Sequence, residues 1–268
     1  MIYGTAWKKE RTESLVSLAL EKGFVAIDTA NQPKHYNEPL VGEAIRTFCE
    51  RGGSREQLFI QTKFTPIGGQ DHRTPYDRNA PITEQVEQSI VSSLQHLHLD
   101  YVDSYLLHGP YNYPNLGDED WEAWAAIEGI YKGGKAKRIG VSNVNHLQLR
   151  QLIERAKVKP TVVQNRCFAQ TGWDFHVRKI CTENEIMYQG FSLLTANPFV
   201  MEIPQVIEMA DRNQATPAQI IFAFSKQLGM MPLTGTTNPL HMEQDLKSFD
   251  LVLNPSEIEF ILKCALNE

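Results

Sequence analysis

Eight short β-rich runs follow one another along the chain, and most are succeeded by a segment with helical spacing. The runs that read as strands cover roughly residues 2–5, 24–28, 58–63, 102–107, 137–141, 161–164, 186–191 and 231–234. Between them, Val86, Ile90, Leu94 and Leu97 form one amphipathic stripe. Leu15, Leu18 and Ala19 lead to a helix stop at Gly23. Trp121, Trp124, Ile127 and Tyr131 make a third helix with Asp118 as its N-cap. Leu147, Leu149, Leu152 and Ile153 mark a fourth, stopped before Pro160, and Thr216-Pro217 opens a fifth. Eight strands alternating with helices over 268 residues match a (β/α)8 TIM barrel, which takes about 250. A doubly wound sheet is the competitor. No Gly-x-Gly-x-x-Gly follows any strand, and no linker or shift in composition divides the chain. The expectation is a single-domain α/β barrel spanning 1–268.

Charge and cysteine usage narrow the partners. The chain carries 32 acidic against 26 basic side chains, a formal balance of -6, with no run of Lys or Arg. Nucleic acid is therefore not expected as a partner. No apolar stretch is long enough to span a membrane, and no charged segment precedes an apolar core at the N-terminus. Cys49, Cys167, Cys181 and Cys264 lie far apart, in neither zinc nor redox-pair spacing. Reduced thiols in a cytoplasmic protein without a metal site are the simplest account. Cys167 is expected to be a buried, inert thiol. His96 and His98, alternate residues near a helix end, are read as favouring that C-terminus rather than binding metal, and Met230-Met231 as core filling.

The strand ends carry the chemistry. Successive strands close on Asp28, Lys63 and His108, and later ones on Ser142-Asn143, Gln164 and Phe191-Ser192. Polarity at a strand end is ordinary in any single case, but an acid, a lysine and a histidine on three consecutive strands would converge on one barrel mouth. Long loops over 64–82 and 109–117 follow two of these strands and place a substrate mouth on the same face. An Asp–Lys pair there is expected to lower the pKa of a neighbouring phenol, with Tyr36 as the candidate. Thr234-Gly235-Thr236-Thr237-Asn238-Pro239 follows the last strand and opens a helix, a place for phosphate or for a plain helix cap.

Several ordered motifs resemble the aldo-keto reductase family. They are Gly4-Thr5-Ala6-Trp7, Ile27-Asp28-Thr29-Ala30, Tyr36-Asn37-Glu38, Thr62-Lys63, Asp103-Ser104-Tyr105-Leu106-Leu107-His108, Gly140-Val141-Ser142-Asn143 and Gly235-Thr236-Thr237-Asn238-Pro239. The set covers nearly the whole chain. The resemblance implies an NAD(P)H-dependent carbonyl reductase with a catalytic tetrad of Asp28, Tyr36, Lys63 and His108. Tyr36 then protonates the carbonyl oxygen of an aldehyde or ketone, Lys63 and Asp28 tune the phenol, and His108 orients the carbonyl. It assigns cofactor contacts to Thr5, Ala6, Asp28, Ser142, Asn143, Gln164, Phe191, Ser192 and Leu194. Further contacts fall to Gly235, Thr236, Thr237, His241, Gln244 and Asp245. The substrate mouth falls to Trp7, His35 and Tyr111. It also implies NADP(H) as cofactor, with NAD(H) as the alternative, and a monomer.

The chain departs from the family pattern in four places. Asp28 and Tyr36 stand eight residues apart, more than is usual there, as though Asn31-Gln32-Pro33-Lys34 were inserted. Alignment on Asn37-Glu38 brings His35 to the expected tyrosine position, so the proton donor is Tyr36, or His35 in its place, or the acid function is weakened. The Lys and Arg that commonly grip the 2′-phosphate have no counterpart near Gly235 and His241, which puts NADPH selectivity in question. The N-terminal hairpin and the long C-terminal loop of the family are not expected. Two rival readings stand beside the reductase: a catalytically weak nucleotide-binding barrel acting as a regulatory or scaffold subunit, and a sugar-phosphate lyase or isomerase.

Overall fold

A computed structural model describes residues 1–266. Its strands are β1 (Ile2–Gly4), β2 (Ala26–Asp28), β3 (Phe59–Phe64), β4 (Ser104–Leu107), β5 (Ile139–Ser142), β6 (Val162–Arg166), β7 (Met187–Phe191) and β8 (Met231–Thr234). They follow one another in sequence order and close as a parallel barrel. Every expected run is a strand, most of them trimmed or shifted by a residue or two at an end. The chain forms two compact units, Tyr3–Val163 and residues 1–2 together with the chain from Gln164 onward.

In the first unit the helices are α1 (Thr12–Glu21), α2 (Glu38–Glu50), α3 (Ile82–Leu97), α4 (Asp118–Lys132) and α5 (His146–Arg155). The expected stops hold. Helix α1 ends before Gly23, whose φ of 100° lies in the left-handed region that glycine enters without strain. One cap differs from expectation: Asp118 is the first helical residue and Gly117 precedes it in extended backbone. The reason lies two residues further on, where Asp120 Oδ2 reaches back to accept from Gly117 N at 2.9 Å.

Strand alternation decides which side chains face inward. Asp28 pairs in register with Gln61, and Lys63 with Leu106, which in turn pairs with Gly140. Gln61 and Lys63 both reach Asp28, whereas Thr62 between them reaches Glu38 of α2. Gly140 is required by space: a Cβ there would stand 2.1 Å from Val162 O and 2.8 Å from Leu106 Cδ2. Buried Val16, Val41, Ile45, Val86 and Ile90 line the inner faces of the helices.

The second unit carries α6 (Phe175–Glu183), α7 (Pro198–Met201), α8 (Pro204–Arg212), α9 (Pro217–Gln227), α10 (Pro239–Lys247) and α11 (Pro255–Lys263). Trp173 is fully buried, donates from Nε1 to Ile261 O at 3.1 Å and meets Phe224 edge-on at 5.0 Å. Met230 is buried in this core. Cys167 is buried as well, and desolvation pushes its thiol up to about 12, so it stays protonated and unreactive. Among the described residues all four cysteines are free and no group of side chains could hold a metal ion. His96 and His98 lie against Glu38 and Glu43 instead, at 3.3 and 3.0 Å. No helix among those residues is long and apolar enough to cross a membrane.

Candidate active site

The centre of the first unit's strand-end face is a buried ion pair. Lys63 is wholly buried and Asp28 is 3% exposed. Lys63 Nζ donates to both Asp28 oxygens at 2.7 Å and to Thr29 O at 2.8 Å, so its three N–H bonds are all engaged. Gln61 Nε2 adds a fourth contact, to Asp28 Oδ1 at 2.7 Å. A buried pair survives only when its remaining polar capacity is met in this way. Burial pulls the Lys63 pKa down, opposed by the charges of Asp28 and Glu38.

The segment after β2 explains how Tyr36 arrives despite its distance in sequence from Asp28. Thr29 N and Asn31 N donate to Gln61 O and Lys63 O, extending the β2–β3 ladder past the strand. The chain then turns on Gln32 O, which accepts from both His35 N and Tyr36 N at 3.0 Å. The turn is anchored by two side chains: Asn31 Nδ2 donates to Ser89 O, and Gln32 Nε2 donates to Gly69 O at 2.7 Å. Their turn brings the half-buried Tyr36 ring to 5.9 Å from His108, edge-on, and to 5.5 Å from Lys63 Nζ. His35 goes elsewhere. Its ring lies 3.9 Å from that of Trp7, and its Nδ1 lies 2.9 Å from Gln32 Oε1.

The electrostatics correct one expectation. Burial and the negative charge of Asp28 raise the Tyr36 pKa rather than lower it. Lys63 Nζ, 5.5 Å from the ring, makes its hydrogen bonds to Asp28 and Thr29 and none to the phenol. The phenol is therefore a fully protonated donor at neutral pH. His108 is pushed the other way, well below the usual imidazole value, by burial and then by the positive charge of Lys63. It is neutral at pH 7, with Nδ1 2.7 Å from Thr65 Oγ1.

Around this centre, Thr5 is buried and its hydroxyl donates to Asp28 O. Ser142 is buried, and exposed Asn143 donates from Nδ2 to His108 O at 2.8 Å and to Ser142 Oγ at 3.2 Å. Trp7 is 66% exposed and Ala6 half-buried. Tyr111 is half-buried; its hydroxyl is enclosed without a hydrogen-bond partner, and burial raises its pKa. Trp7 and Asn143 hold φ of 64° and 57°. Such backbone is costly for a bulky residue like Trp and concentrates at functional sites.

In the second unit Ser192 repeats the pattern with φ 56° just past β7. Gln164 is buried and donates from Nε2 to Gln189 Oε1 at 2.9 Å, while Phe191, Ser192 and Leu194 are half-buried. The loop after β8 keeps Gly235 and Thr237 exposed and Thr236 half-buried. Its helix is capped from within: Asn238 Oδ1 accepts from Leu240 N, and Thr236 Oγ1 accepts from Asn238 N. His241 is exposed and Gln244 half-buried. Asp245 is buried, accepts from Thr234 Oγ1 at 2.7 Å, and is pushed up to about 6 by desolvation.

Gln61, Thr65 and Glu38 were not singled out by the strand-end argument. A signal for two of them was present, since Gln61, Lys63 and Thr65 alternate along one strand and its continuation and so share a face.

The model of the aldo/keto reductase family matches residues 1–265. The chain belongs to this family. It is 28% identical to aldo-keto reductase family 1 member A1 of Xenopus tropicalis, over 95% of this chain and 82% of that protein. Prostaglandin F synthase 1 of Bos taurus is also 28% identical, with the same coverage. Among solved structures, the aldo-keto reductase MGS-M4 from a deep-sea metagenome library of the Medee basin superposes with a TM-score of 0.83 at 26% identity, covering 99% of this chain and 90% of that one. An aldo/keto reductase from Brucella melitensis gives 0.81 at 27% identity, with 98% and 93% covered. This aldo-keto reductase is thus an oxidoreductase whose general chemistry is NAD(P)H-dependent carbonyl reduction.

Proposed function

We propose that the protein reduces an aldehyde or ketone, with Tyr36 as proton donor and His108 as the group that orients the carbonyl oxygen. The observation that carries this reading is the Tyr36 ring 5.9 Å from His108 and 5.5 Å from Lys63 Nζ. A protonated phenol beside a neutral imidazole offers two donors to one oxygen. Lys63, fixed by Asp28, contributes a positive charge that favours the negative charge developing on that oxygen. His35, turned onto Trp7, belongs with Trp7 and Tyr111 to the substrate mouth.

The residues present suit a nicotinamide dinucleotide. Its carboxamide needs both donors and acceptors, and the Ser142 hydroxyl with the Asn143 amide oxygen supplies such a set. Gln164 is assigned to the same cofactor, and Phe191 brings a ring face for stacking. Thr5, Ala6, Ser192, Leu194, Gly235, Thr236, Thr237, His241 and Gln244 are assigned to the rest of the cofactor. Asp245 is assigned to it as well. When bound, NADP(H) supplies the hydride. Four free cysteines fit a reducing, cytoplasmic setting.

Fluorescence titration with NADPH and with NADH, followed by turnover on a carbonyl panel, tests this reading. Tyr36→Phe should abolish turnover with cofactor affinity retained, whereas His35→Ala should mainly raise KM. Binding without turnover of any carbonyl in the parent would favour the scaffold reading.

A further inference from the structure

We propose that Thr65 is a positioning residue that fixes the tautomer of His108, so that the ring proton sits on Nε2. This inference rests on the reading of His108 as the group that orients the substrate carbonyl.

The geometry begins with the strand. Thr65 continues the alternation of Gln61 and Lys63, and is 3% exposed just beyond β3. Its Oγ1 lies 2.7 Å from His108 Nδ1. His108 is held at its backbone from both sides, donating its N–H to Phe64 O at 2.8 Å and accepting at its O from Asn143 Nδ2. The two side chains therefore meet on fixed backbones.

Counting hydrogens then gives the tautomer. No acceptor other than His108 Nδ1 is in reach of the Thr65 hydroxyl among the described residues. If the hydroxyl donates to Nδ1, every proton has a partner and Nε2 carries the ring N–H. If Nδ1 were the donor, the buried hydroxyl hydrogen would be left without an acceptor, which costs free energy. The bond made by one ring nitrogen thus sets the proton on the other. A histidine that must donate to a carbonyl oxygen needs that proton on the outward nitrogen.

The carbonyl of Thr65 is clamped as well. Thr65 O accepts from Tyr76 OH at 2.7 Å and from Gln70 Nε2 at 3.3 Å, and Gln70 Nε2 also donates to Asn31 O at 2.9 Å. Tyr76 and Gln70 belong to the 64–82 loop and Asn31 to the turn that delivers Tyr36. The loop that faces the substrate thereby holds the residue that orients the histidine proton.

The test combines 15N NMR of histidine-labelled protein with kinetics on Thr65→Val and Thr65→Ser, using His108→Gln to assign the ring signals. The wild-type His108 should show the Nε2–H tautomer. In Thr65→Val the Nδ1–H form should gain population, with kcat lowered roughly five- to tenfold, the scale of one neutral hydrogen bond, and little change in cofactor affinity. Thr65→Ser should restore both. A wild-type Nδ1–H tautomer overturns the proposal, as does a Thr65→Val protein with unchanged tautomer or a Thr65→Ser protein as defective as Thr65→Val. Should Thr65→Val fail to fold, the wild-type and Thr65→Ser spectra decide. If no carbonyl is turned over, a tautomer shift in Thr65→Val still supports the proposal, and it is the reading of the reaction that falls.

Discussion

Lys63 Nζ lies 2.7 Å from each carboxylate oxygen of Asp28, with both side chains almost wholly removed from water. Each charge is tolerated there because the other is present. Removing one partner leaves a buried ion without compensation, which costs about 3–5 kcal/mol. Asp28→Asn and Lys63→Met should each lose that much in urea unfolding at pH 7. The double variant should be more stable than the sum of the two losses predicts, and all three should lack turnover.

The pH dependence of reduction follows from the raised phenol and the lowered imidazole. Tyr36 stays protonated through the neutral range, so kcat/KM for reduction should be flat to at least about pH 10. His108 remains neutral above its lowered pKa, so any acid limb should lie on the acid side of an ordinary imidazole's titration. Alcohol oxidation, which needs the phenolate, should instead rise with pH throughout. A rate profile of both directions between pH 5 and 10 checks the signs.

Gln32 joins the turn carrying Tyr36 to the 64–82 loop. Its Nε2 donates to Gly69 O, which leaves Oε1 to accept from His35 Nδ1. Gln32→Ala should lower stability by about 1 kcal/mol, since it removes the part-buried bond to Gly69 O. A thermal melt measures this. The companion effect, a lowered kcat for Tyr36 chemistry with cofactor affinity unchanged, is read by single-substrate kinetics.

Asp245 has a folded-state pKa of about 6, above the ordinary aspartate value of about 3.9, because burial disfavours the carboxylate. The folded state then binds more protons than the unfolded state between those values. Stability from this group is fully present below about pH 4 and is lost as pH rises through about 6. Asp245→Asn should remove the slope and gain up to about 3 kcal/mol at pH 7. Melting temperatures of both proteins at pH 5 and pH 7 supply the comparison.

No Lys or Arg occurs between Met231 and Leu246. Without a guanidinium or ammonium there, the 2′-phosphate gains little. NADPH and NADH should differ in Kd by less than about tenfold, and the difference should be insensitive to Lys247→Ala. Paired fluorescence titrations measure it.

Much of this protein was determined by the sequence itself. Hydrophobic periodicity is a local property, so the eight strands, the helices between them and the Gly23 stop are legible residue by residue. Asp28, Lys63 and His108 are legible for the same reason, because each closes a strand. Tyr36 was different. Its position depends on a turn around Gln32 and on hydrogen bonds to Ser89 and Gly69, partners distant in sequence. Only the folded chain decides that Tyr36 meets His108 while His35 turns to Trp7. The direction of the phenol shift was also a tertiary matter, because desolvation and the nearness of the Asp28 charge depend on surroundings that no local pattern specifies. The same holds for Thr65. Strand alternation assigns its face, but its bond to His108 exists because β3 and β4 pair in register, Lys63 beside Leu106.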